Sequence, residues 1–217
     1  MRLVHGFAAL LTAAGVLVAS PAAAIPVVAQ SKIDALLLSD DDVSSIVGLP
    51  LRRVGDIRPK PGQAGPLPDR DDCRSFVQSD VSLWTAEFTA FRRVQQRDDP
   101  ETPQFAVTQS VALYPNAMTA AGTFRRAFAP DMVGRCGSVT LTDTSNASWR
   151  IDKVSITGNH ASWMLANLQD GQDTTWRCAN EIRQKGNAMF MEFECQYGNG
   201  GPLVAQMANL IANRIPS

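Results

Sequence analysis

The sequence predicts a single α+β domain built on one mainly antiparallel sheet. Three observations lead there. Seven strand-like runs stand against only three helical ones, too few to carry the crossovers that parallel neighbours need. The chain has 217 residues, 45% hydrophobic and 19% charged, which suits one folded domain rather than a disordered chain. Its 4 cysteines are an even number, and behind an export signal they read as two disulfides.

The signal comes first. Arg2 precedes an apolar run over 7–19 that is too short to span a bilayer comfortably. Small-residue sites follow, one cutting after Ala24 and one after Ala29. The second keeps proline away from the cut, so the expected division is a signal peptide over 1–29 and a domain over 30–217. No later stretch is long and apolar enough for a membrane helix, so the mature protein is expected to be secreted, outside the cell or in the cell envelope, with no stable membrane insertion.

A short helix is expected over 39–48. Ser39 can cap it, Asp42 completes a capping box, and Leu38 and Val43 occupy the staple positions. Asp40, Asp41 and Asp42 suit the positive end of the helix dipole. They lack the spacing and glycine of a calcium loop. Residues 55–72 hold four prolines and three glycines and read as a long loop ending at Cys73.

Period-two alternation begins at Leu83, with Trp84, Ala86, Phe88 and Ala90 on one face, and returns at Phe105, Val107, Val111 and Leu113. These read as antiparallel strands joined by a connector over 96–103. Asn116 caps a helix over 116–128, with Met118, Ala121, Phe124, Ala127 and Phe128 on its apolar face. Three strands follow over 139–142, 149–157 and 161–168. The four tryptophans read as core.

The sharpest local pattern spans 176–197. Gly186-Asn187 is a two-residue hairpin turn that pairs residues whose numbers sum to 373. Lys185 and Ala188 form a hydrogen-bonded pair, and pair types alternate outward. Cys178 and Cys195 fall on a non-hydrogen-bonded pair, about 4.5 Å apart at Cα. That register favours Cys178–Cys195 and leaves Cys73–Cys136. Residues 198–201 (GNGG) break the strand. Pro202 opens a last helix with Leu203, Met207, Leu210, Ile211 and Arg214 on one face. A glycine run before a helix can cradle an anion, but nothing else fits a nucleotide fingerprint.

Lys plus Arg is 20 against 21 Asp plus Glu, and no cationic block suits nucleic acid. The chain has 2 histidines, and His5 lies in the signal segment, so no histidine metal site and no cofactor is expected. GxSxG, HExxH, P-loop and GxGxxG motifs are absent. His160, in Gly-Asn-His-Ala, reads as a turn residue. Glu192 and Glu194 share the hairpin face opposite the apolar one and are expected to face water. Three polar residues interrupt faces that look buried: Arg92, Gln109 and Asn180. A polar group facing the core must be hydrogen-bonded or line a cavity, so these three are the candidate cleft residues.

The ordered set of motifs resembles the PknH-like extracellular domain of mycobacteria. Residues 36–43 (LLLSDDDV), Cys73, 107–115 (VTQSVALYP), Cys136-Gly137, 176–179 (WRCA), Asn187, Cys195 and the closing helix carry the resemblance. In that family the domain is the sensor of a membrane serine/threonine kinase and also occurs in secreted proteins and lipoproteins. The resemblance implies a twisted antiparallel sheet with flanking helices, a large cleft for an unidentified ligand, and sequential disulfides in agreement with the register above. It supplies no catalytic residues, and the chain has no kinase domain. The expected function is therefore a secreted, non-enzymatic, sensor-type domain binding a small molecule or cell-envelope component. The rivals are an envelope hydrolase using His160 or a carboxylate pair, and a protein-interaction module without a small ligand.

Overall fold

Strand β1 (Arg52–Arg53) is followed along the chain by β2 (Ala90–Arg97), β3 (Phe105–Leu113), β4 (Thr140–Thr142), β5 (Ser148–Thr157), β6 (His160–Gln169), β7 (Gln172–Lys185) and β8 (Ala188–Tyr197). The α-helices are α1 (Asp40–Val47), the single turn α2 (Arg74–Val77), α3 (Ala117–Ala127), α4 (Met132–Cys136) and α5 (Gly201–Arg214). Short 3-10 helices cover Gln30–Leu36 and Asp71–Cys73. The structure is a computed structural model. It describes residues 27–216 except 64, 66, 68, 69, 79–82, 85, 86 and 143–146. Most of the expected signal peptide, and Ala86, lie outside the described residues.

Among the described residues the eight strands join one sheet in the order β1-β2-β3-β8-β7-β6-β5-β4, and every neighbouring pair is antiparallel. Two meanders thus meet where β3 pairs with β8. Between them the chain passes through α3 and α4 on the way to the far edge. After β8 it returns as α5 over the opposite face.

Both faces of the central strands are covered. One face packs Phe76, Phe124, Phe128 and Trp163 with all four cysteines. The other packs Leu36, Val43, Val111 and Phe190 against Val204, Met207 and Ile211 of α5. Burying a large apolar side chain contributes about 1.5–3 kcal/mol, so both layers hold the sheet.

The local signals explain the elements they mark. Ser39 Oγ accepts from the Asp42 amide at 3.1 Å while Asp42 accepts from the Ser39 amide, a complete capping box. Asn116 Oδ1 accepts from the Thr119 amide at 2.9 Å. Gly186 has φ +54°, and β7 and β8 pair in the predicted register, including Cys178 opposite Cys195. The disulfides are Cys73–Cys136 and Cys178–Cys195, with Cα separations of 5.6 and 4.0 Å.

Four expectations need correction. The strand expected from Leu83 begins at Ala90 and runs into the presumed connector. Polar residues there hide the alternation, because Phe91 packs on one core and Val94 on the other. Met118 is 78% exposed, since α3 buries Ala120, Thr123 and Phe124 instead. On α5 the buried set is Val204, Met207, Ala208 and Ile211. That face is turned by one residue from the expected one, and Leu210 is exposed. Glu192 and Glu194 are fully buried rather than water-facing, because α5 covers the face assumed to be wet.

Fold contacts also begin ahead of Gln30. The buried Asn187 carboxamide accepts from the Val28 amide at 2.8 Å and donates to the Val28 carbonyl at 3.1 Å. It also donates to the Tyr114 carbonyl at 3.1 Å.

Candidate functional site

The cleft forms where the chain turns from β8 into α5. Gly198 has φ +106°, a left-handed conformation that glycine adopts without penalty. Asn199 Oδ1 accepts from the Gly201 amide at 3.2 Å and ties the turn to the helix start. Gly200 is tight for a different reason: a Cβ there would lie 1.5 Å from Glu194 Oε2 and would displace that carboxyl. The helix therefore starts directly against the Glu194 carboxyl.

The opposite wall comes from β5. Its register with β6 breaks between Asp152 and Ser155, and Lys153 within this bulge has φ +52°. Bulges re-aim side chains, and left-handed non-glycine residues are held only where the surroundings fix them. The open cleft between them holds about 370 Å³ and is lined by Lys153, Ser162, Met164, Glu181, Asn199 and Val204, among others. A neighbouring hollow of about 380 Å³ shares Lys153, Met164 and Asn199 and adds Asp152 and Arg177. The rim there is an ion-pair network. Arg150 bonds both Asp152 and Asp173, and Arg177 reaches Asp173 at 3.3 Å.

One acid, Glu181, lines the cavity, and two more lie behind it under α5. Across the sheet, Gln109 on β3, Glu192 on β8, Glu181 on β7 and Ser162 on β6 stand in one row. Glu181 is nearly buried, and Arg183 Nε donates to it at 2.5 Å while His160 Nε2 lies 3.3 Å away. Burial opposes its ionisation, but His160 and Arg183 outweigh that and hold its carboxyl below the ordinary value. Glu192 has no such partners. Burial pushes its carboxyl well above the ordinary range, and the charge of Glu181 adds to this. Burial alone raises Glu194 to about 8.

The structure does not bring the three sequence candidates together. Arg92 lies on β2, where its Nε donates to Asp34 at 2.6 Å. Gln109 is fully buried; it accepts from the Leu38 amide at 2.8 Å and donates to the Leu38 carbonyl and to Gln96. Its hydrogen bonds clamp the chain before α1 onto the sheet. Asn180 borders the cleft, but by strand alternation its side chain shares the face of Cys178 and Ile182, and its Nδ2 donates to the Cys178 carbonyl at 3.3 Å. His160 is not a turn residue: it opens β6 and faces Glu181.

Sequence reasoning missed Lys153, Glu181 and the burial of Glu192 and Glu194. Lys153 needs the bulge to be seen, and no sequence signal marks it. The glutamates carried a usable one, since β8 follows a tight hairpin and precedes a helix able to fold back over it. Among the described residues, the one group of three potential metal ligands is Asp72 with Cys73 and Cys136. Those sulfurs are joined in a disulfide and offer no thiolate.

A family model described as the PknH-like extracellular domain matches residues 28–214. The chain belongs to the PknH-like extracellular domain family. The match begins at Val28, the residue held by Asn187. Among solved structures, the crystal structure of the extracellular domain of PknH from Mycobacterium tuberculosis has the same fold, with a TM-score of 0.75. The similarity covers 87% of this chain and 97% of that chain at 17% sequence identity. Curated protein sequences return no match. The PknH-like fold accounts for the sheet, the flanking helices and the disulfides. Among the described residues, no helix is long and apolar enough to cross a membrane.

Proposed function

We propose that this PknH-like extracellular domain is a secreted, non-enzymatic sensor-type module. It holds a small molecule or cell-envelope component in the cleft between α5 and strands β5–β7. The observation that carries this reading is Lys153: a left-handed, non-glycine residue at a bulge, facing a cavity of about 370 Å³. Strained residues concentrate at binding sites, and ligand sites are concave with a few convergent polar groups. Native mass spectrometry of protein purified from its own host tests the reading. A co-purified molecule is expected with the natural protein and is lost in Lys153→Ala. A ligand retained in that variant would count against this cleft.

Export belongs to the same proposal. Cleavage after Ala24 keeps Val28 and its bonds to Asn187, whereas cleavage after Ala29 strips two partners from a buried carboxamide. The mature chain therefore starts at Ile25, which N-terminal sequencing of the exported protein tests; a start at Gln30 refutes it.

A hydrolase reading draws on one contact, the 3.3 Å approach of His160 to Glu181. A nucleophile within hydrogen-bond reach of the base is needed as well, and among the described residues none is bonded to His160. His160→Ala is expected to leave ligand retention intact. An esterase or glycosidase activity that disappears in this variant would favour the hydrolase instead.

A further inference from the structure

Two buried acids lie beside the cleft without a structural role in it. Glu192 and Glu194 are both 0% exposed, and none of their four carboxyl oxygens has a hydrogen-bond partner among the described residues. A buried polar group of this kind calls for an explanation. They point to the face covered by α5. The buried side chains of that helix are Val204, Met207, Ala208 and Ile211, none of which can hydrogen-bond. Glu194 also touches the helix start, because its carboxyl occupies the space that a Cβ on Gly200 would fill. The same first turn, through Gly201, Pro202 and Val204, lines the cleft.

We propose that Glu192 and Glu194 form a proton-held latch under α5: the helix sits closed on the sheet while both are neutral acids, and proton release accompanies lifting of its first turn and opening of the cleft. A carboxylate cannot remain in this position unpaired, since burying an uncompensated charge is far costlier than burying its neutral form. Among the described residues no cation is bonded to either carboxyl; Lys153 lines the adjoining cavity from β5. On β3, Gln109 and Val107 face the two acids, and on β7 Glu181 and Ala179 do. Glu181 adds negative charge, and its partners Arg183 and His160 are already engaged with it. Arg177, further along β7, is held by Asp173. On β2, Gln96 donates to Asp40 of α1. The one charged residue of α5, Arg214, lies at the far end and pairs with Asp42.

The sign follows from linkage. Glu194 has an ordinary value of 4.5 and is raised to about 8 in the closed state. The closed state therefore holds a proton that the open state releases, and its advantage is full below about 4.5 and lost as pH rises toward 8. Glu194, at the helix start, releases first.

This latch concerns the regulation of the proposed cleft, but its test uses protein without ligand, so the two can fail separately. Hydrogen exchange of the α5 amides, corrected for intrinsic rates, is measured between pH 5.5 and 7.5. Opening of the first turn is expected to rise about ten-fold per pH unit for one released proton, with the amides of β3 and β8 unchanged. Glu194→Gln is expected to flatten that rise. A flat profile in the natural protein, or an equal slope in the variant, overturns the latch. Carbon-13 NMR of the glutamate carboxyls in the unaltered protein is the second measurement and needs no variant to fold. Glu194 titrating near 8 and Glu192 displaced well above the ordinary carboxyl value are expected, and titration of all the glutamates near 4.5 overturns the proposal.

Discussion

The sheet face that carries both disulfides is filled by Phe76, Phe124, Phe128 and Trp163, whereas the face under α5 buries Gln96, Gln109, Glu181, Glu192 and Glu194 among its aliphatic side chains. The first face also buries polar side chains, Arg93, Thr108, Ser110, Thr123 and Asn180, but none of them is acidic, and the Trp163 indole donates to the Phe76 carbonyl at 2.8 Å. On the second, polar groups stand in a row across four strands. Some are fully bonded, as Gln109 is, and some are not, as Glu192 is. Shape and covalent links hold the first face. Hydrogen bonds and protonation hold the second, and the cleft opens on that side. A domain can in this way keep a rigid half beside a half able to respond.

Substitutions on the two faces sharpen this contrast, the largest effects falling on the disulfide face. Replacing Cys73 and Cys136 together by Ser should cost about 4 kcal/mol, because the bridge closes a loop with a sequence separation of 63. Replacing Cys178 and Cys195 together should cost about 3 kcal/mol for a separation of 17. Denaturant unfolding of the two double variants checks the order, and a larger loss from the hairpin bridge would reverse it. On the other face, Gln109→Ala leaves the buried Leu38 amide without its acceptor and should cost about 1–3 kcal/mol. Its effect should show in the exchange of α1 and the chain before it, and a loss spread evenly over the sheet would contradict the clamp. Ser39→Ala removes the cap of α1 and should cost about 1 kcal/mol, seen as a small drop in thermal midpoint.

The residues that were legible carry their instructions within a few positions. Gly186-Asn187 dictates the register of β7 and β8, and with it one disulfide. Ser39 with Asp42, and Asn116 with Thr119, mark helix starts through bonds spanning three residues. What was missed depends on how separate elements come together. The Glu192 side chain looks solvent-facing on β8 alone and is buried by a helix that follows it. The run 90–97 looks polar because Gln96 meets Asp40 from a segment 56 residues away. Lys153 enters the cleft wall only through a bulge, and bulges leave no period in the sequence.

The pairing of β3 with β8 also governs when this protein can fold. Val107 meets Glu194, and Ala112 meets Met189, 87 and 77 residues apart in sequence, so the sheet's central seam joins distant segments. Closing so long a loop comes before any reward from contact, and topologies of this kind fold slowly. The Asn187 carboxamide that secures Val28 sits at the tip of the last hairpin, so the beginning of the fold waits for its end. A nascent chain lacking β8 leaves β3 and β7 with bare edges, the state most exposed to mispairing. The domain is therefore made all at once, after its last strand has been synthesised.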